Sequence, residues 1–266
     1  EILELIQRFV TTAARAVEAG FNGIQIHAAH GYLLSQFLSP LTNKRSDQWG
    51  GSLENRARLL YEVVKAVKQA LPKNIAVTVK LNSADFQRGG FNSQDALAVV
   101  KALGDLQVDL VELSGGSYES PAMQGNTADG STLDREAYFL EFAKEIAKQA
   151  TMPIMTTGGI TRLAVAQNVL DEGVDMVGIG RALAFKPDLP SVWRTSPDSI
   201  AMLPNVKWKD KTMAAIATMA ITKRQLQRMG KGKAPKSNLS PVISLIADQV
   251  RLKKLTNIYR KRYAKA

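Results

Sequence analysis

The sequence predicts an α/β fold: part of a parallel (β/α)8 barrel, with about five βα units, followed by a basic helical tail. Three observations predict it. Short apolar, β-branched runs alternate with helical segments along residues 2–190, the pattern of a parallel sheet wrapped by helices. Most of these runs stop at glycine or polar turn residues, such as Ser114-Gly115-Gly116, Gly158-Gly159 and Gly180-Arg181. The alternation ends after Asp188-Leu189-Pro190. A closed barrel of this class has about eight strands, so three units are expected before Glu1.

The elements follow in order. Ile2, Leu5, Ile6, Phe9, Ala13 and Val17 recur at helical spacing and predict a helix over 2–19. Ile24 to Ile26 sit in a strand over 23–27, fed by Ala19-Gly20-Phe21-Asn22-Gly23. A long loop is expected from Gly31 to Ser52. Ser52 is a natural N-cap for a helix that Pro72 ends. A strand over 75–81, a helix over 93–103 and a strand over 110–113 come next, then a helix over 134–149, a strand over 153–156, a helix over 161–172 and a strand over 176–179. Two further helices, 210–229 and 240–263, flank a Gly- and Lys-rich loop; in the second, Val242, Ile243, Ile246 and Val250 lie opposite a basic face. The expected division is a barrel portion, 1–190, and a tail, 191–266, that packs on the barrel or extends from it.

Composition narrows the function. With 266 residues, 45% of them hydrophobic, the chain can bury one large core. It has 0 cysteines, which excludes disulfides, thiolate nucleophiles and thiolate metal sites. That absence fits a reducing compartment, and a cytoplasmic protein is expected. No segment reads as a membrane span or secretory leader. The chain opens at Glu1 inside a helix, so preceding residues are expected in the natural product. The net charge of +11 is local: residues 207–266 carry 16 Lys+Arg and 2 Asp+Glu, a net of +14, against −3 for the remainder. Such a tail reads first as a solvated face, and it also suits weak contact with an anionic surface. A specific nucleic-acid partner is not expected.

The chemistry concentrates after the first strand. His27 and His30, the only histidines, and Tyr32 stand where that strand ends, the functional face of a parallel barrel. Imidazoles can donate to a developing oxyanion and a phenol can deliver a proton. A metal is a poor rival, because there is no third histidine or any cysteine. Lys80 lies among Ala76, Val77, Val79 and Leu81, where an unpaired charge is costly. It faces an anion or an electron-rich ring, or else snorkels to the rim. Gly158, Gly159, Gly180 and Arg181 follow the last two strands, where glycine backbone can close on a phosphate; tight turns alone would also use them. Arg45 to Arg56 hold charged and capping residues that read as pins for the loop.

The runs His27-Ala28-Ala29-His30-Gly31-Tyr32-Leu33-Leu34-Ser35-Gln36-Phe37-Leu38-Ser39-Pro40 and Asn43-Lys44-Arg45-Ser46-Asp47-Gln48-Trp49-Gly50-Gly51-Ser52-Leu53-Glu54-Asn55-Arg56 resemble the Old Yellow Enzyme family of FMN-dependent ene-reductases. Thr157-Gly158-Gly159-Ile160, Gly178-Ile179-Gly180-Arg181 and Val79-Lys80-Leu81-Asn82-Ser83-Ala84-Asp85-Phe86 extend the likeness to about residue 190. The resemblance implies a TIM barrel that binds FMN and takes hydride from NAD(P)H for an activated alkene. It implies that His27 and His30 hold the substrate carbonyl and that Tyr32 protonates the α-carbon. Lys80 would stand against the flavin's pyrimidine end, where many members have arginine. Gly158, Gly159, Gly180 and Arg181 would hold the flavin phosphate. A homo-oligomer is compatible with it. Members carry three more βα units before the opening helix.

Two other readings compete. One is a phosphate-binding barrel lyase or isomerase using Lys80 as base or Schiff-base former. The other is an inactive barrel fragment whose basic tail binds nucleic acid or membrane.

Overall fold

The computed structural model describes residues 1–117 and 136–263. Its elements are α1 (Ile2–Glu18), β1 (Gly23–Ala28), α2 (Leu33–Leu38), α3 (Leu53–Ala70), β2 (Ala76–Asn82), α4 (Ser93–Asp105), β3 (Leu110–Ser114) and α5 (Leu140–Ala147). They continue with β4 (Ile154–Thr156), α6 (Leu163–Asp171), β5 (Met176–Val177), α7 (Arg181–Phe185), α8 (Leu189–Val192), α9 (Lys211–Met229) and α10 (Pro241–Tyr263). The chain divides into two compact units. One comprises Glu1–Ile160 with Ala164–Ile179; the other comprises Thr161–Leu163 with Gly180–Ala266. Among the described residues, no helix is long and apolar enough to cross a membrane.

The first unit holds one parallel sheet with the strands in chain order, β1-β2-β3-β4-β5. This is part of a (β/α)8 barrel, as the alternation of elements predicts. The register runs from Gly23↔Ala76 to Ala28↔Leu81, then Val79↔Val111, Leu113↔Thr156 and Thr156↔Val177. Side chains alternate across the sheet. Ile26, Ala28, Val77, Val79, Leu81, Val111, Leu113 and Ile154 are buried together with Leu59, Leu60, Val63, Val64 and Val67 of α3. Each such Leu, Ile or Val contributes about 1.5–3 kcal/mol by leaving water. Two aspartates fix the strand starts: Asp109 accepts from the Val77 N–H at 2.7 Å, and Asp175 from the Ile154 N–H at 2.8 Å.

The opposite face is polar, with Gln25, His27, Thr78, Lys80, Asn82, Glu112 and Ser114. Gln25 Nε2 donates to Glu112 Oε2 at 3.0 Å, from the first strand across the second to the third. Because α3 covers the other face, this one is the concave side that becomes a barrel's interior.

Several boundaries differ from expectation. The segment Gly31–Ser52 contains the helix α2, whose Leu34 and Leu38 are buried. The helix expected over 134–149 is α5, Leu140–Ala147; residues 134 and 135 lie outside the described residues. β5 has only 2 residues, and the short helices α7 and α8 follow it.

In the second unit, Ala214, Ala217, Ala220 and Ile221 of α9 are buried. Asp210 caps α9 by accepting from Met213 N at 2.9 Å. Lys223 pairs with Asp248 of α10 at 2.9 Å. Gln225 is buried and bonds both backbone groups of Lys236, which ties the interhelical loop to α9. Val242, Ile243, Ile246 and Val250 are all exposed rather than packed.

Candidate active site

The site forms where β1 ends. His27 is the penultimate residue of β1 and projects on the concave face. His30 then adopts φ +64°, a left-handed backbone that few side chains take. Two contacts hold it there, and the next residue carries the turn on. Its N–H donates to Asn82 Oδ1 at 3.1 Å, its Nε2 lies 2.7 Å from Ser114 Oγ, and Gly31 continues the turn at φ +77°. Asn82 is itself buried and fixed, donating to Gly116 O at 2.9 Å and to Asp85 Oδ1 at 3.2 Å. Asp85 in turn accepts from Phe91 N at 3.0 Å. The turn thus returns His30 beside His27, with ring centroids 5.1 Å apart at 70°. Tyr32, at the N-cap of α2, places its ring 5.1 Å from His27 and is 47% exposed.

Lys80 stands opposite His27 in the register and beside Glu112 on the other flank. Its ammonium forms an ion pair with Glu112 Oε1. Burial pushes the His27 pKa down; the Lys80 charge pushes the same way, and Glu112 opposes them. Burial, then Lys80, then His27 push His30 down to about 4. Both imidazoles are therefore neutral near pH 7, and each offers one N–H donor. Among the described residues no group of three His, Cys, Asp or Glu is placed to hold a metal.

Gly158 and Gly159 follow β4 with φ +129° and +71°. A Cβ at Gly158 would lie 2.7 Å from the Tyr138 backbone nitrogen, and one at Gly159 would collide with the Tyr138 ring. Only glycine fits either position. Gly180 and Arg181 belong to the second unit, at the start of α7, and both are exposed.

The sequence brought His27, His30, Tyr32 and Lys80 forward, and the structure gathers them within the first unit. Glu112, Ser114, Asn82 and Gln25 were missed. Glu112 had a readable signal: it is a charge inside the apolar strand Leu110–Leu113, as Lys80 is inside its neighbour. Opposite charges buried in adjacent strands require each other. The cluster Arg45 to Arg56 is structural. Arg45 pairs with Asp47, and Asn43 Nδ2 bonds Phe37 O and Trp49 O at 2.8 and 2.7 Å. Arg56 donates to Leu38 O and Gly51 O and pairs with Asp95 at 3.3 Å.

The site is thus a pair of imidazoles and a phenol at the carboxyl end of one strand of a parallel barrel sheet, the end where barrels of this class carry their functional residues. The chain matches the NADH:flavin oxidoreductase / NADH oxidase family over residues 1–195 and belongs to it. It is 34% identical over 229 residues to the NADH-dependent flavin oxidoreductase iliE of Neonectria sp. (strain DH2), covering 83% of this chain and 30% of that protein. It is 38% identical over 188 residues to the NADPH dehydrogenase of Bacillus subtilis (strain 168), covering 70% of this chain and 52% of that one. The old yellow enzyme homologue of Zymomonas mobilis superposes with a TM-score of 0.61 at 30% identity, over 76% of this chain and 55% of that structure. The chain spans about half the length, or less, of the curated relatives it matches. The family's cofactors are FMN and a nicotinamide dinucleotide. The donor set here fits FMN: a cation and two neutral imidazoles lie together at the carboxyl end of β1 and β2.

Proposed function

We propose that this chain carries the catalytic residues of an FMN-dependent oxidoreductase that transfers hydride from NAD(P)H to an alkene conjugated with a carbonyl. The observation that carries the reading is the cluster of His27, His30 and Tyr32, with both imidazoles held neutral. Bound FMN supplies the hydride relay. His27 and His30 donate to the substrate carbonyl oxygen, which gains negative charge as hydride reaches the β-carbon. Donors fixed before the reaction stabilise that charge without reorganising. The strained turn at His30 and its anchors Asn82 and Ser114 provide that fixation. Tyr32 delivers a proton to the α-carbon, and its exposure lets solvent resupply it.

Lys80 gives the concave face a cation for the flavin ring; as a point charge it lacks the fork of an arginine. Gly158 and Gly159 seat the phosphate through their backbone. Gly180 and Arg181 enter this proposal from the sequence alone. A Schiff-base reading needs Lys80 as a free amine, whereas its nitrogen is engaged by Glu112.

The test separates the two half-reactions in the flavin-loaded protein. His27→Ala should slow alkene reduction on the order of 10²-fold, the usual cost of one such donor, and leave nicotinamide oxidation near its parental rate. Equal slowing of both would remove His27 from the proposed role.

A further inference from the structure

We propose that Glu112 is the positioning residue of this site, holding the Lys80 ammonium at the level of His27 and balancing its charge. Both carboxylate oxygens are engaged. Oε1 pairs with Lys80 of β2, and Oε2 accepts from Gln25 of β1 at 3.0 Å. Glu112 is only 7% exposed, so its carboxylate has few orientations and little competition from water. Lys80 and Glu112 lie on neighbouring strands in register with His27, and Gln25 lies on the same face two residues before His27 on β1. A lysine ammonium on a four-carbon stem is mobile by itself; here the carboxylate fixes where its charge sits. The charged and titratable groups facing His27 are Lys80 from β2, Glu112 from β3, and His30 and Tyr32 after its own strand.

The balance of charge has a consequence for both imidazoles. Lys80 disfavours protonation of His27 and His30, and Glu112 offsets that effect at His27. Removing the carboxylate leaves a cation without a counter-charge beside two proton acceptors. Its meaning for catalysis rests on the proposed function, because a cation near the flavin favours the reduced, anionic ring. The positioning itself does not depend on flavin.

The experiment reads each histidine separately. Exchange of the imidazole C2 hydrogen for deuterium, followed by mass spectrometry across pH, gives a titration midpoint for His27 and for His30 at micromolar protein. In Glu112→Gln the His27 midpoint should move down, and Glu112→Asp should restore it towards the parent. A merely structural glutamate would leave that midpoint in place. An unchanged His27 midpoint in a folded Glu112→Gln chain overturns the proposal. Should Glu112→Gln not fold, the neutral pair Lys80→Gln/Glu112→Gln provides the second arm. A buried pair is disrupted more by losing one partner than by losing both, so the double variant should melt above the single one. A double variant melting no higher than Glu112→Gln also overturns the proposal. In flavin-loaded protein, Glu112→Gln should shift the flavin potential positive, and Lys80→Met should cancel that shift. Movement of the His27 midpoint in a protein that binds no FMN would leave the role of Glu112 standing and remove the flavin reading instead.

Discussion

His30 combines an uncommon backbone with a strongly depressed basicity, and both follow from where the chain needs a donor. At φ +64° the residue turns back over the strand it has just left, and Asn82 and Ser114 hold it there. Its folded pKa of about 4 lies below the ordinary value of 6.5. Between those two values the unfolded chain binds more protons than the folded one. Stability therefore falls as pH drops from about 6.5 towards 4, and this contribution is fully present above that window. His30→Asn should flatten that part of the profile, since asparagine tolerates the left-handed turn and does not titrate there. The comparison is of thermal midpoints for the two proteins across the window; parallel curves would dissociate His30 from the acid sensitivity. Tyr32 is tested by the chemistry of the acceptor. Tyr32→Phe should depress enone reduction, which needs a proton on carbon. Nitroalkenes should suffer less, because a nitronate can leave unprotonated. Equal losses with both substrates, measured by stopped-flow reoxidation, would assign the proton to another group.

At the scale of elements, buried hydrogen bonds hold the loop before α3 in place. Arg56, 8% exposed, donates to the carbonyls of Leu38 and Gly51 and reaches Asp95 on α4. Arg56→Leu would leave those acceptors without their donor, at about 1–3 kcal/mol for an orphaned buried group. A urea midpoint lowered with an unchanged slope is the expected result. The strands were legible because each is a short apolar run between turn residues, and α3 because Ser52 caps it; Ser52 Oγ accepts from Asn55 N at 3.3 Å. The helix α2 was not legible. Its six residues give too short a span for helical periodicity to show, and its Leu34 and Leu38 find burial only in the folded unit. In the site, residue type identified His27, His30, Tyr32 and Lys80. The supporting shell was hidden for a different reason: Gln25, Asn82, Glu112 and Ser114 come from three strands. Their shared role exists only once the register places them side by side.

At the scale of the molecule, the decisive feature is a parallel sheet of five strands whose concave face carries the site. β1 and β5 end the sheet among the described residues, so each presents one edge to whatever lies beside it. An uncovered strand edge offers backbone N–H and C=O groups to another chain. Parallel sheets are covered on both faces in α/β proteins, and a closed barrel fills its interior with side chains from every strand. Here the helix-side face is buried, whereas Gln25 and Gly23 on β1 remain exposed. The 266-residue chain by itself is therefore expected to associate and to hold FMN weakly. Light scattering coupled to gel filtration reports the first property, and flavin absorbance retained through the column reports the second. A chimera that places the first three βα units of a relative before Glu1 should run as a single species and keep its yellow colour. If the 266-residue chain elutes as a flavin-saturated monomer, the β1 edge needs no further strand and the site is complete on five.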